Sequence, residues 1–292
     1  MAEQEVELRR VRDFGENLSD TFAFLRQHAN TLLRPFLAIS AVFMAVLGIF
    51  SSVYESHAGR ILKNIFMGRS QNIDRLMSVF DINYFMVIIM TMATIASMQV
   101  IIAVYMKYYT ETHTKPGIQE VWTLFKRYFL RVCLFEFLAY FTIVLGCVFC
   151  LFPGIYLGVV LAPLSLVIVV EDKGLVESYQ RCLELIKDQF WPSFGLYIVA
   201  YLFYAFGAGV IGGGFTIIGW LAGYLTTSDL GLYVLAISAF LKSFSLFFYI
   251  IYFVCVSLNY FSLVERREGT GIMGRINNLG NYGSSSSSEE QF

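Results

Sequence analysis

Apolar runs of about 20 residues recur along this chain, and each is long enough to cross the roughly 30 Å hydrocarbon core of a bilayer as a helix. A helix satisfies its own backbone hydrogen bonds, which lipid cannot do. Of the 292 residues, 57% are hydrophobic and 15% are charged, whereas soluble domains are roughly 25% charged. The sequence therefore predicts an all-α polytopic membrane protein.

The apolar runs predict about six transmembrane helices that form three hairpins. The tight turn CLFPG, residues 150–154, joins the third and fourth spans. The predicted spans are residues 33–54, 84–108, 131–151, 154–170, a fifth from Pro192 into 206–215, and a sixth within 230–261 that starts near Lys242. The excess apolar length in the last two regions predicts an outer half-helix or a re-entrant piece, and for residues 207–225 a full span also stays open.

The distribution of Lys and Arg predicts the orientation, because cytoplasmic connections carry an excess of these residues. They are frequent before the first span, between spans two and three, between spans four and five, and after the last span. Both termini are therefore predicted to be cytoplasmic. The N-terminus lacks the features of a cleaved signal peptide. We expect a cytoplasmic N-terminal segment with an amphipathic helix (1–32), a transmembrane domain (33–265), and a cytoplasmic tail (266–292) that is disordered at its Ser/Glu-rich end.

The charged stretch EDKGLVESYQRCLELIKDQFW, residues 171–191, has apolar residues at three-and-four spacing and predicts a helix that lies along the membrane surface. Glu177 and Arg181 are spaced for an i,i+4 ion pair. A pattern of aliphatic, acidic and aromatic residues recurs at 18–22, 118–122 and 175–179, and predicts one such cytoplasmic helix before each hairpin. These helices are either structural links or partner-docking elements. The interface candidates are Asp20, Phe22, Glu120, Trp122, Glu177, Tyr179 and Arg181.

Charged residues at membrane depth are costly and often functional. Arg131, Glu136 and Lys242 fall within or beside apolar runs. They either snorkel to the interface or line a polar cavity between spans three and six. Glycines at small-xxx-small spacing favour close helix packing, although a flexible gate is the alternative. The packing candidates are Gly209, Gly213, Gly219 and Gly223.

Several function classes find no support in the sequence. His28, His57 and His113 are scattered, so we expect no metal site and no cofactor. Cys147 and Cys150 form a CxxC in an apolar helix end, where packing is the expected role. A net charge of −1 argues against nucleic acid as a partner. No nucleophile–base motif is present, so we predict that the protein is not an enzyme.

The segment from Pro153 to Trp191 resembles the signature region of a broad group of prokaryotic membrane proteins. This group includes YciC-like proteins and the membrane domain that precedes some glycerophosphodiester phosphodiesterases. The matching positions are Pro153, Gly154, Pro163, Glu171, Gly174 and Trp191. The abundance of Phe and Tyr and the Ser/Glu tail are similar to members from Bacteroidota. The resemblance implies a multi-pass protein of the bacterial inner membrane, and no catalytic residues carry over because the soluble phosphodiesterase domain is absent.

Together these features predict a non-enzymatic scaffold or accessory subunit that organises a membrane complex or local lipids. The expected partners are the lipid bilayer and other membrane or cytoplasmic proteins, and self-association is left open. The alternative is a small transporter or channel with a polar cavity near Glu136 and Lys242.

Overall fold

A computed structural model of the protein describes residues 6–66, 77, 79–225 and 230–269. A π-helical turn, Gly209–Gly213, joins α7 to α8, and a 3-10 turn, Phe244–Phe248, joins α9 to α10. The α-helices are α1 (Phe14–Phe66), α2 (Ile82–Thr112), α3 (Ile118–Phe149), α4 (Leu151–Val160), α5 (Leu164–Val170), α6 (Leu175–Ile186), α7 (Phe190–Ala208), α8 (Gly214–Leu225), α9 (Leu230–Ser243) and α10 (Tyr249–Glu268).

Six helical stretches in the described residues are long and apolar enough to cross a membrane. Their mean hydropathies lie between 1.9 and 2.3 in the most apolar 18-residue window. The stretches are Phe14–Ile61, Ile82–Thr112, Ile118–Phe149, Leu151–Val170, Phe190–Ala222 and Tyr233–Glu268. The prediction of an all-α polytopic fold is confirmed.

The helices pair along the chain as three hairpins, α1 with α2, α3 with α4, and α7–α8 with α9–α10. α4 follows α3 directly, because Cys150, whose backbone is extended, is the single residue between the two helices. The centre of the bundle is formed by α2, α5 and α10, whose residues are buried on all sides at 100–106, 164–169 and 253–258. A helix that is apolar all round belongs in the interior of a bundle.

The start of α1 and the end of α10 lie on the same side of the bundle, which we call the N-face. The backbone N–H of Arg12 donates to Ser262 Oγ at 2.9 Å, and Arg266 donates to the carbonyl of Arg12 at 3.1 Å. The connections before α3 and around α6 lie on this face too, since Lys115 donates to the carbonyl of Gln27 and Glu171 binds Tyr260. The side that carries the α3–α4 turn is the opposite face.

The predicted surface helices are corrected at two of three places. Only α6 is a separate short helix, whereas residues 18–22 and 118–122 form the beginnings of the long helices α1 and α3. Both segments continue as helix into the following spans, and α1 remains helical through Pro35. The predicted domain boundaries at 32 and 265 fall within α1 and α10, and the tail beyond residue 269 lies outside the described residues.

The additional apolar residues of the last hairpin extend its two helices and do not form a re-entrant segment. α7 passes through the π-helical turn into α8, and α9 passes through the 3-10 turn into α10. The helical run therefore begins before Lys242, although the α-helix of the last span begins only at Tyr249. α9 packs against the second half of α1, where a Cβ at Gly48 would lie 2.6 Å from the Phe240 ring.

The predicted packing role is wrong for Gly209 and Gly213, because a Cβ at either position would meet no atom within 4 Å. The tightly packed glycines of this run are Gly207, against Phe248, and Gly212, against Ser245. Gly219 lies against Ser238 and Leu235 of α9. The side chain position of Gly223 lies outside the described residues.

Candidate functional site

A stripe of polar and tyrosine side chains runs between α7 and α10, and we call it the tyrosine seam. It consists of Ser193, Tyr197, Tyr201 and Tyr204 on α7 and of Tyr249, Tyr252 and Asn259 on α10. The three-and-four spacing places each set on one face of its helix. The two helices run antiparallel, because Tyr197 meets Asn259 near the N-face and Tyr204 meets Tyr249 nearer the opposite face.

Ring contacts make the seam continuous through the middle of the bundle. Asn259 Nδ2 donates to Ser193 Oγ at 3.1 Å and to the Tyr197 hydroxyl at 3.0 Å. The ring of Tyr252 lies 6.3 Å from that of Tyr197 and 5.2 Å from that of Tyr249. The Tyr249 ring lies 5.4 Å from that of Tyr204. Tyrosine is apolar along its ring and polar at its tip, so this seam carries hydroxyls along the contact of α7 and α10, with Tyr201, 52% exposed, at its edge.

A cavity lies at each end of the tyrosine seam. The N-face cavity, of about 330 Å³, is bounded by the starts of α1 and α7 and the last turns of α10, with Ser193 and Asn259 in its wall. The far cavity, of about 450 Å³, is lined by Tyr201, Tyr204 and Lys242 together with the glycines of the π-helical turn. Gly209 and Gly213 have open space where a side chain would lie, so their lack of one keeps this cavity open.

The seam and its two cavities together extend over roughly the thickness of a bilayer. Ser193 lines the first and Gly212 lines the second. Gly212 follows Ser193 by 19 positions, or about 28 Å of helix at about 1.5 Å per residue, which is close to the roughly 30 Å of a hydrocarbon core. The seam itself, from Ser193 to Tyr204, covers about 16 Å, so only the seam together with its two cavities extends nearly across the membrane.

Glu136 is buried beside the tyrosine seam without a charged partner. Its side chain is 7% exposed, and Oε1 accepts no hydrogen bond within the described part of the chain. Electrostatic interactions connect its carboxyl to Tyr140 of the same helix and to Tyr249 and Tyr252 of the seam. A buried carboxyl of this kind is costly and is characteristic of functional positions in membrane proteins.

Among the described residues, Lys242 lines the far cavity but Glu136 does not, so the cavity predicted near both residues is not shared by them. Lys242 Nζ binds Glu55 Oε1 at 3.1 Å and is 45% exposed. Arg266 follows it by 24 residues, or roughly 36 Å of helix, so Lys242 lies near the opposite face and not at mid-membrane depth. The Glu55 carboxylate neutralises the charge of Lys242. The sequence analysis did not identify Glu55 as its partner.

Arg131 contacts the connection between α5 and α6 and not Glu136. It donates to Asp172 Oδ1 at 2.7 Å and to the carbonyl of Lys173. Glu171, which precedes Asp172 in this connection, binds Lys173 Nζ at 2.6 Å, Arg181 Nε at 3.1 Å and the Tyr260 hydroxyl at 2.8 Å. Burial alone would raise the pKa of Glu171, but the hydrogen bonds from Lys173, Tyr260 and Arg181 outweigh it and hold the pKa below its usual value.

The acidic interface candidates are engaged within the chain. Asp20 accepts from Arg12 Nε at 2.7 Å. Glu177 accepts from the backbone N–H of Gly174 at 3.2 Å and closes the N-terminus of α6. Glu120 Oε2 lies close to Gly117 at the start of α3, where a Cβ would be 2.6 Å from it. The predicted Glu177–Arg181 pair is replaced, because Arg181 binds Glu171 and Glu268 instead.

The aromatic interface candidates contact neighbouring rings. Phe22 lies against Phe203 of α7 with ring centroids 5.2 Å apart. Trp122 stacks on Phe125 at 5.6 Å, and Tyr179 of α6 is half-buried towards Glu136. Their role in partner binding stays a prediction.

The three histidines do not converge. His28 is buried and bonded to the Tyr105 hydroxyl at 2.9 Å, while His57 lies 3.2 Å from Asp81. His113 follows α2 in a left-handed backbone conformation. Within the described ranges, no three His, Cys, Asp or Glu side chains form a group that could hold a metal ion.

Sequence reasoning missed the tyrosine seam, although its signal is present. Tyr197, Tyr201 and Tyr204 follow one helix face, and Tyr249 and Tyr252 follow another. In a chain with 18 tyrosines, this spacing is hidden by aromatic residues that contact lipid. The pairing of the two stripes depends on the antiparallel packing of α7 and α10, which only the fold provides.

The fold and the seam define an α-helical, multi-pass integral membrane protein with a polar path through its last hairpin. Comparison with known proteins adds no closer identity. The chain matches no protein-family model, and neither a curated protein nor a solved structure matches it.

Proposed function

We propose that the protein is a non-enzymatic membrane transporter that moves a small polar solute or protons along the tyrosine seam. The observation that carries this proposal is the continuity of the seam with a cavity at each end, a path that extends from Ser193 to Gly212 over about one bilayer thickness. A path of hydroxyl groups lowers the cost of moving a polar species through an apolar interior. Glu136 beside the seam supplies an ionisable group within the bundle.

The π-helical turn is consistent with movement at the far end of the path. A π-helical turn within a longer helix frequently marks a functional site. Residues Gly209–Gly213 form this turn at the wall of the far cavity. In the proposed cycle, a change in this turn alters access to the cavity, while Lys242 of α9 and Ser245 of the 3-10 turn hold the opposite wall.

The positive-inside rule supports an orientation with the N-face in the cytoplasm of a bacterial cell, and the resemblance to YciC-like proteins supports the inner membrane. The N-face cavity would then open towards the cytoplasm, and the far cavity would open to the outside. The family relationship and the bacterial origin are part of this proposal.

Water access along the tyrosine seam tests the transport proposal without knowledge of the substrate. Each of Tyr197, Tyr204 and Tyr252 is replaced by cysteine in a variant whose five native cysteines have been removed. Methanethiosulfonate reagents react with the thiolate, which forms only in contact with water. A sulfonated reagent added to proteoliposomes should label these positions. Addition of the reagent to each side of the membrane in turn measures water access through each of the two cavities.

Matched controls come from the outer surface of the same helix. Ile198, Leu202 and Phe206 of α7 are exposed on the bundle surface, where lipid surrounds them. We expect cysteines at these positions to react about tenfold or more slowly than those in the seam. Equal and slow labelling at all six positions would show that the seam is sealed to water and would overturn the transport proposal.

A scaffold or accessory role is the second candidate, and the outer surface of α6 favours it. Val176, Gln180 and Glu184 are exposed there, next to Trp191 at the start of α7. Purification in nanodiscs followed by mass spectrometry should reveal a stoichiometric partner if this surface docks another protein. The variant Val176→Glu should release that partner, whereas Leu202→Ala on α7 should retain it.

A further inference from the structure

The N-face cavity contains a buried hydrogen-bond acceptor that no group in the described chain satisfies. Asn17 lines the cavity and is 2% exposed, and its Oδ1 accepts no hydrogen bond. Its Nδ2 donates to Asn259 Oδ1 at 3.4 Å. The Asn259 amide is in turn fixed by Ser193 and Tyr197. A buried carbonyl oxygen without a donor is unusual in a folded protein, and here a cavity large enough for a ligand adjoins it.

Two arginines, Arg12 and Arg266, line the other side of the same cavity. Arg266 lines it, and its guanidinium is 3.8 Å from the Asp13 carboxylate and 3.4 Å from Gln189 Oε1. Arg12 contributes less, because its Nε binds Asp20 and its terminal nitrogens bind backbone carbonyls. The helices α1 and α7 both begin at this cavity, and their first N–H groups favour an anion there.

The cavity lies at the depth of lipid headgroups. It opens where α7 enters its apolar stretch, and Trp191, beside the lining residue Pro192, is 73% exposed. Phe14, at the start of α1, is also exposed and forms part of the lining. Exposed aromatic side chains of this kind mark the boundary between water and hydrocarbon. A volume of about 330 Å³ is at the small end of ligand sites, which suits a headgroup and not a whole lipid.

We propose that the N-face cavity binds a phosphate-linked primary ammonium, as in the headgroup of phosphatidylethanolamine. The phosphate lies against Arg266 and the two helix N-termini, and the ammonium donates to Asn17 Oδ1 with Asp13 nearby. A quaternary ammonium has no N–H and leaves Asn17 unsatisfied, so choline headgroups are disfavoured. This site is independent of the transport proposal, because it concerns equilibrium binding and not movement across the membrane.

Titration of the full-length protein in detergent with short-chain phosphatidylethanolamine, followed by native mass spectrometry, tests the site. The same titration with short-chain phosphatidylcholine is the chemical comparison. We expect phosphatidylethanolamine to bind about tenfold or more tightly. Equal binding of the two lipids would overturn the proposal, whatever the labelling experiment on the tyrosine seam shows.

Paired variants locate the binding. Arg266→Ala and Asn17→Leu should each weaken phosphatidylethanolamine binding about tenfold. Arg267→Ala is the matched control, because Arg267 lies in the same turn of α10 but binds Asp188 outside the cavity. Loss of binding in Arg267→Ala equal to that in Arg266→Ala would mean that general surface charge is responsible and would overturn the site.

Competition with free phosphoethanolamine distinguishes the two sources of this chemistry. If it displaces the short-chain lipid at similar concentrations, the headgroup alone is sufficient and a soluble zwitterion is the ligand. If it fails to displace the lipid, the acyl chains contribute and a membrane lipid is the ligand. Either result supports the headgroup site, provided that the phosphatidylcholine comparison and the Arg267 control behave as expected.

Discussion

Glu171 connects three helices at the N-face through one carboxylate. It follows α5, and it binds Arg181 of α6 and Tyr260 of α10. Its side chain is 16% exposed, so its hydrogen bonds are only partly screened by water. Arg181 extends the network to Glu268 in the last turn of α10. The charged stretch in the middle of this apolar chain thus ties the fourth span to the sixth.

Replacement of Glu171 by glutamine should destabilise the protein and change its response to acid. Hydrogen bonds to a charged group contribute about 1–3 kcal/mol, and we expect a loss of this size at pH 7. The folded-state pKa lies below the usual 4.5, so the contribution is complete above that pH and is lost as the pH falls through the folded-state pKa. Thermal unfolding in detergent at several pH values measures it.

The difference in unfolding temperature between wild type and Glu171→Gln should therefore shrink below pH 4.5. Glu184→Gln is the control, because Glu184 is an exposed carboxylate on α6, the helix that follows Glu171. A difference that stays constant down to the acid limit would show that Glu171 stabilises the fold by packing and not by its charge.

Glu136 should respond in the opposite way. Its carboxyl lacks a hydrogen-bond partner at Oε1 and is buried among tyrosines. An uncompensated buried charge lowers stability, so the neutral isostere in Glu136→Gln should keep or raise the unfolding temperature. A destabilisation comparable to that of Glu171→Gln would indicate that the carboxyl has a bonded partner in the membrane and would contradict this assignment.

Among the elements, the hairpin of α3 and α4 depends on one close backbone approach. A Cβ at Gly154 would lie 2.1 Å from Cys147 Sγ and 2.7 Å from the Cys147 backbone nitrogen. The sulfur could rotate away, but the backbone nitrogen is fixed by α3. Gly146 faces the same contact, where a Cβ would lie 3.1 Å from Gly154 Cα. Small residues let membrane helices approach to this distance.

Gly154→Ala should therefore separate the two helices and cost about 1–3 kcal/mol of stability. Gly158→Ala, one turn further along α4, is the matched control, because a Cβ there would meet no atom within 4 Å. Its effect should be neutral or stabilising by up to about 1 kcal/mol, the usual gain of alanine over glycine in a helix. Equal stability of the two variants in thermal unfolding would contradict the close approach.

The elements also show which features the sequence was able to predict. The spans, the Cys150 turn and the three hairpins follow from apolar length and tight-turn residues. The separate surface helices at 18–22 and 118–122 were wrong because amphipathic periodicity does not reveal whether a helix stops before the next apolar run. The ion partners of Arg181 and Lys242 were also missed, since Glu268 and Glu55 lie 87 and 187 residues away in the chain.

For the whole molecule, the charge of the described residues is divided unequally between the two faces. The N-face carries the ion pairs of Arg12, Arg131, Arg181 and Arg266. At the opposite face, the described residues include the Lys242–Glu55 pair and the exposed Arg60. The segment from residue 67 to 76, which adds Arg69 and Arg75, lies outside the described residues. This charge asymmetry agrees with the distribution of Lys and Arg along the sequence, because the basic connections lie on one face of the fold.

This asymmetry predicts that the N-face is cytoplasmic. Glu184 of α6 marks the N-face, and Arg60 of α1 marks the opposite face. With the native cysteines removed, Glu184→Cys should react with a membrane-impermeant maleimide only after permeabilisation of bacterial cells, and Arg60→Cys should react in intact cells. The reverse result would place both termini outside the cell. The tyrosine seam would still connect the two cavities, but the N-face cavity and its proposed headgroup site would face the outer leaflet, and the direction of the proposed transport would be inverted.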